Sequence, residues 1–137
     1  MLFRSTGGPA EARLTAEVAG DDRRVTDLGG RIGFAQLADV LAAAEVVVVG
    51  NTGPAHLAAA VGTPVVSLFA PVVPAIRWRP WCVPHLLLGD QHAGCAGSRA
   101  RNCPTPGHPC LTDVSVEEVL AAIDQLTSVR AARVMAS

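Results

Sequence analysis

The run Val46-Val47-Val48-Val49 passes without a break into Gly50-Asn51-Thr52-Gly53-Pro54, and that junction limits the fold more than any other part of the chain. Consecutive β-branched residues read as a strand buried on both faces. Thr52 fits the cap position of a helix, Pro54 fits its first turn, and Ala55 to Ala60 carry it forward. After Gly62-Thr63-Pro64 a second apolar run, Val65 to Phe69, follows at once. Two strands separated by one short helix pair in parallel through a right-handed crossover. A parallel sheet of this kind needs cover on both faces.

The flanking sequence repeats the theme. Leu2 to Ser5 and Arg24 to Leu28 read as short strands, and His85 to Leu88 as the last one. Pro9 to Ala19 reads as a helix with Leu14 and Val18 on one face and Gly20 closing it. Phe34, Leu37, Val40 and Leu41 recur at helical spacing over residues 34–44. Thr112 or Ser115 caps a final helix, with Glu117 or Glu118 in its first turn and Val116, Val119, Leu120, Ile123 and Leu126 facing inward. The proline-rich segment 70–84 and the aperiodic segment 89–112 read as loops, the second long enough to be functional or disordered. The expected architecture is α/β: a Rossmann-like, doubly wound parallel sheet in a single domain over residues 1–127, with 128–137 a flexible tail.

Composition removes several function classes. The net charge is −1, with Lys absent and all 11 basic residues Arg, so no basic footprint for nucleic acid exists. No apolar stretch reaches the roughly 18 residues of a membrane span and no signal peptide is visible, so a cytoplasmic protein is expected.

Ligand sites in open α/β sheets lie beyond the carboxyl ends of the strands. Three segments converge there: Thr6-Gly7-Gly8 with Glu11, Gly50 to His56, and Ala70 to Pro74. A helix start offers free N–H groups and a positive dipole end to an anion. Gly53 admits a ligand close to the backbone, Pro54 gives up an N–H the helix start does not need, and His56 adds a side-chain donor. Thr52 is either a cap or a phosphate ligand. Glu11 is either a ribose ligand or a helix-start acid favoured by the dipole. Neither a P-loop nor a G-x-G-x-x-G pattern occurs.

The four cysteines lie in the second half of the chain. Cys95, Cys103 and Cys110, with His92 and His108 nearby, are either thiols, one disulfide or zinc ligands, although no C-x-x-C knuckle is present. Arg99 and Arg101 in the same segment are solvated or meet an anion. Trp78 and Trp81 bracket Arg79-Pro80 and are expected to pack their loop down, with an exposed stacking platform as the other option.

The stretch Asn51-Thr52-Gly53-Pro54-Ala55-His56-Leu57-Ala58-Ala59-Ala60, followed by Gly62-Thr63-Pro64 and Leu68-Phe69-Ala70-Pro71, resembles the signature of the heptosyltransferases, glycosyltransferase family nine. Gly7-Gly8-Pro9-x-Glu11, Leu28-Gly29-Gly30 and the Cys-containing loop before the last helix are similar to that family too. The resemblance implies the carboxy-terminal half of a GT-B glycosyltransferase, which binds a nucleotide-diphosphate sugar such as ADP-heptose for inverting transfer without a tightly bound metal or other cofactor. It implies a donor site at Asn51, Thr52, Gly53, Pro54 and His56, with Gly7, Gly8 and Glu11 on the ribose side.

The same resemblance implies that the acceptor domain, and the first strand of the donor domain, lie outside this sequence. Catalysis by the chain alone is then not expected. A separate amino-terminal domain, or self-association through an exposed sheet edge, becomes the expected protein partner. Asn51 stands where most members have Asp, and Ala70 and Val72 stand for the usual Gly and Thr. A non-catalytic ligand- or partner-binding α/β module is the alternative.

Overall fold

The computed structural model describes residues 1–135, and the chain divides into two compact units, Met1–Val40 and Leu41–Ser137. In the first, β1 (Phe3–Ser5) pairs in parallel with β2 (Val25–Asp27), Phe3 opposite Val25 and Ser5 opposite Asp27. A 3-10 turn (Pro9–Glu11) runs into α1 (Ala12–Ala19), which packs on both strands. α2 (Phe34–Ala43) begins in this unit.

The expected face of α1 is corrected. Leu14 and Val18 are 59% and 70% exposed, whereas Thr15 and Ala19 are buried. Small residues win the inner face because the backbone comes too close for larger ones. A Cβ on Gly7 would lie 2.8 Å from Thr15 Cγ2, and one on Gly29 would lie 2.8 Å from Thr15 Cβ. Thr15 is tied down as well: its carbonyl accepts the Ser5 hydroxyl and its own hydroxyl donates to the Ala12 carbonyl.

The second unit carries β3 (Val47–Gly50), β4 (Val65–Leu68) and β5 (His85–Leu88), a parallel sheet in that order. α3 (Gly53–Ala60) packs on β3 and β4, and α6 (Val116–Met135) on β4 and β5. Each is a strand–helix–strand neighbourhood of the doubly wound kind. The ladder of the described residues is nonetheless two parallel sheets, β1-β2 and β3-β4-β5. The strand expected to be buried on both faces is β4, not β3. Val65, Val66 and Ser67 are fully buried, while Val48 of β3, the edge of this sheet, is 41% exposed.

Val66 meets Ala122, Ile123 and Leu126 of α6, with Val119, Leu86 and Leu88 alongside. The inner stripe of α6 is therefore Val119, Ala122, Ile123 and Leu126, at the i, i+3, i+4, i+7 spacing of one helix face. Val116 and Leu120, expected inside, are outside that stripe and exposed. Ser115 caps α6: its hydroxyl accepts the Glu118 N–H, and the Glu118 carboxylate accepts the Ser115 N–H. These bonds hold the Glu118 carboxyl below its ordinary range. Thr112 ends the one-turn helix α5 (Pro109–Thr112) instead, and α4 (Ala75–Trp78) is a second single turn inside an expected loop. α6 also runs on through 128–135, where a tail was expected. Thr127 and Ser128 return their hydroxyls to the Ile123 and Asp124 carbonyls, and helix-forming Ala and Arg follow. Residues 136–137 lie outside the described part.

No helix of the described residues is long and apolar enough to cross a membrane.

Candidate functional site at the carboxyl ends of the strands

In the second unit β3 ends at Gly50 and α3 begins at Gly53, with Thr52 in extended conformation at the cap position. The Thr52 N–H donates to the Gly50 carbonyl and the Ala55 N–H to the Thr52 carbonyl. No side chain caps the helix. The Thr52 hydroxyl reaches only the Gly50 carbonyl, at 3.5 Å, the outer limit of a hydrogen bond. The alternative left open for Thr52 is thus narrowed: it occupies the cap position without capping. Thr52, Gly53, Pro54 and His56 are all exposed, while Ala55 and Ala58 are buried and hold the helix to the sheet.

Gly53 has no conformational need to be glycine. Its φ is not positive, and a Cβ built on it would meet nothing within 4 Å among the described residues. Packing in the free chain therefore leaves this glycine unexplained. A molecule seated against the backbone would explain it.

Asn51 is engaged within the protein. Its side-chain amide donates to the Ala70 carbonyl at 3.1 Å, and its oxygen accepts the Ala70 N–H at 3.3 Å. One side chain thereby clamps the turn after β3 to the turn after β4. Only a carboxamide satisfies both backbone groups, because an ionised carboxylate has no hydrogen to donate. This gives a physical reason for Asn at a position where the family resemblance implies Asp.

The turn after β4 is joined to the next loop as well. Gly97 and Arg99 donate their N–H groups to the Pro71 and Val72 carbonyls, each at 2.8 Å, with Arg99 at a φ of 56°. Gly89, at φ 119°, sits where a Cβ would lie 2.8 Å from the Cys110 carbonyl and 3.0 Å from that of Phe69. Gln91 bridges the Phe69 and Gly89 carbonyls. The long segment 89–112 is therefore a built wall.

His56, in the first turn of α3, faces the ring of Trp78, with centroids 6.3 Å apart and planes tilted by 59°. Trp78 and Trp81 do not pack their loop down: they are 51% and 76% exposed, and it is Pro80 between them that is buried. The aromatic pairing was missed because the two residues belong to different helices, α3 and α4, well apart in the sequence. Exposed Trp on a proline-pinned segment was the available signal.

The cysteines are free thiols. Cys95 and Cys110 are buried. Burial, with Cys95 and Cys103 close by, pushes the Cys110 thiol above its ordinary value. Among the described residues no group of three or more His, Cys, Asp or Glu is placed to hold a metal ion.

In the first unit the Glu11 carboxylate turns back and accepts the Gly8 N–H at 2.8 Å, and the Gly30 N–H donates to the Gly7 carbonyl at 2.9 Å. Gly7, Gly8 and Glu11 form one local turn, and Gly7 is required there by Thr15. Close by, the Asp27 carboxylate accepts the Gly29 N–H, which holds it below its ordinary range.

Known proteins show the family and the fold. Residues 2–108 match the model for Glycosyltransferase family 9 (heptosyltransferase). A lipopolysaccharide heptosyltransferase 3 of Escherichia coli is 33% identical over 105 residues, 74% of this chain and 29% of the relative. A second, from Escherichia coli strain K12, is 36% identical over 61 residues, 44% of this chain and 17% of the relative. The chain thus spans less than a third of the curated relatives it matches. The crystal structure of the glycosyl transferase family 9 from Veillonella parvula DSM 2008 superposes with a TM-score of 0.72 over 90% of this chain and 36% of that one, at 18% identity, and so shares the fold. By its sequence match and its α/β architecture of the GT-B type, the chain belongs to glycosyltransferase family 9.

Proposed function

We propose that the chain binds the diphosphate of a nucleotide-diphosphate sugar at the start of α3, as the donor-binding part of a heptosyltransferase-like, inverting glycosyl transfer. The observation that carries this is the uncapped, exposed helix start with a glycine that nothing in the free protein requires. Backbone N–H groups and the dipole of α3 would face the two phosphates, and the Thr52 hydroxyl and His56 ring lie at the same turn. In glycosyl transfer the diphosphate leaves with developing negative charge. Fixed donors aimed at it lower the barrier without reorganising. Asn51 positions rather than binds in this reading, because its amide is spent on Ala70. Residence in the cytoplasm belongs to the same proposal.

The ribose role that the resemblance gives Glu11 is proposed for the first unit by itself. Its carboxylate already holds the Gly8 N–H, so Glu11→Gln keeps an acceptor oxygen there while removing the charge.

The test is calorimetry with ADP, UDP and GDP, free and as nucleotide sugars, on the wild type and on Gly53→Ala. Alanine relieves the entropic cost of glycine in a helix, roughly 0.5–1 kcal/mol, so the thermal midpoint should hold or rise slightly. Binding should weaken at least tenfold, because the new methyl occupies the ligand's approach. A folded wild type that binds none of the six compounds refutes the proposal. Binding unchanged in Gly53→Ala would place the ligand elsewhere.

A further inference from the structure

We infer that Trp78 is a specificity-determining residue that stacks on the transferred sugar ring of the donor, with His56 as the hinge between that ring and the diphosphate. This rests on the donor-binding reading of α3 and extends it from the phosphates to the sugar.

Four observations meet at this residue. First, Trp78 is 51% exposed, and its ring lies tilted by 59° against that of His56, with centroids 6.3 Å apart. Second, the segment carrying it is held at both ends. Pro71 and Pro80 are buried, and the Arg77 and Arg79 N–H groups return to the Pro74 and Ala75 carbonyls. A half-exposed indole on a pinned segment binds without first having to be ordered. Third, His56 lies in the first turn of α3, one turn on from Thr52, so the indole sits beside the phosphate end of the site. In a nucleotide-diphosphate sugar the transferred ring is one ester oxygen from the distal phosphate, whereas the base is separated from the near phosphate by the whole ribose. An aromatic face at this place therefore suits the sugar, not the base. Fourth, Arg77 and Arg79 flank the indole on exposed positions, and segment 70–84 contains no acid. The surroundings tolerate a ligand that already carries two phosphates.

Aromatic faces recognise sugars through the apolar C–H surface of the ring, while the hydroxyls stay in water or meet polar neighbours. Trp81 provides an internal control. It is more exposed than Trp78 and has no ring partner among the described residues.

The experiment compares ADP with ADP-heptose, UDP with UDP-glucose and GDP with GDP-mannose on wild type, Trp78→Ala, Trp78→Phe and Trp81→Ala. For the pair that binds, Trp78→Ala should weaken the nucleotide sugar about five- to tenfold and leave the free diphosphate within twofold. Trp78→Phe should recover most of the loss, and Trp81→Ala should change neither ligand. A thermal midpoint unchanged in Trp78→Ala shows that the fold is intact. Equal loss for the free diphosphate and the sugar conjugate overturns the inference, since the indole would then act on the nucleotide or on α3. No loss for either also overturns it. Failure of the wild type to bind any of the six compounds instead refutes the donor-binding reading itself.

Discussion

The Asn51 clamp makes an unusually sharp prediction, because the substitution that tests it, Asn51→Asp, changes one amide nitrogen to an oxygen and little else. Asn51→Asp keeps the bond from the Ala70 N–H, at 3.3 Å in the wild type, and loses the one to the Ala70 carbonyl at 3.1 Å. A lost hydrogen bond costs about 1 kcal/mol. The variant also turns an ionised oxygen toward a carbonyl oxygen in a half-buried turn, leaving an acceptor without a donor, for a further cost of about 1 kcal/mol. The sum is roughly 2 kcal/mol at neutral pH, or about thirtyfold in the folding equilibrium. Protonating the introduced carboxyl supplies the missing donor, so its pKa in the folded state lies above the unfolded value of about 3.9. The native variant then binds more protons than the unfolded chain, and its deficit against the wild type shrinks as pH falls through that raised pKa. Urea denaturation of both proteins between pH 7 and pH 4 reads this directly. A deficit below about 0.5 kcal/mol at pH 7, or one that does not change with pH, refutes the clamp.

Two further outcomes are expected. The Ser67 hydroxyl is fully buried in β4 and has no hydrogen-bond partner among the described residues, so Ser67→Ala should raise stability by about 1 kcal/mol in a denaturant titration. A loss of that size would mean the hydroxyl is satisfied. Asp22 pairs with Arg24 at 2.6 Å, and its side-chain hydrogen bond holds the carboxyl down at about 2, from 3.8. With the folded pKa depressed, the stabilisation is present above pH 3.8 and drains away as pH falls toward 2. Carboxyl chemical shifts followed by NMR should titrate near 2 in the wild type and move upward in Arg24→Gln, short of the ordinary range because the backbone N–H of residue 24 still donates to Asp22.

Element boundaries were legible because glycine and proline mark them. Pro54 at the start of α3, Gly20 after α1 and the Ser115–Glu118 box at α6 all stand where local chemistry puts them. Which side of a helix faces inward was less legible. Hydrophobicity points to Leu14, Val18, Val116 and Leu120, yet Thr15, Ala19 and Ala122 are inside, since close approach of backbones selects small volume over apolar area. At the candidate site the Thr52-Gly53 helix start was readable from contiguous residues. The Asn51–Ala70 clamp and the His56–Trp78 pair were not, because each joins a segment after β3 to a segment after β4, and their meeting depends on the register of those strands.

The buried side chains are distributed unevenly, and that has a consequence for motion. In Met1–Val40 the closed side chains are Thr15 and Ala19, small residues beside strands of three residues each. In the second unit Phe69, Val65, Val66, Ile123 and Leu126 close around β4. Local opening free energy follows buried apolar contact. Amide hydrogen exchange should therefore run far ahead in β1 and β2, at rates set by local opening, while the amides of β4 and β5 wait for global unfolding. The turn that holds Glu11 would then be the part of the protein that breathes, and the helix start at Gly53 the part that stays fixed.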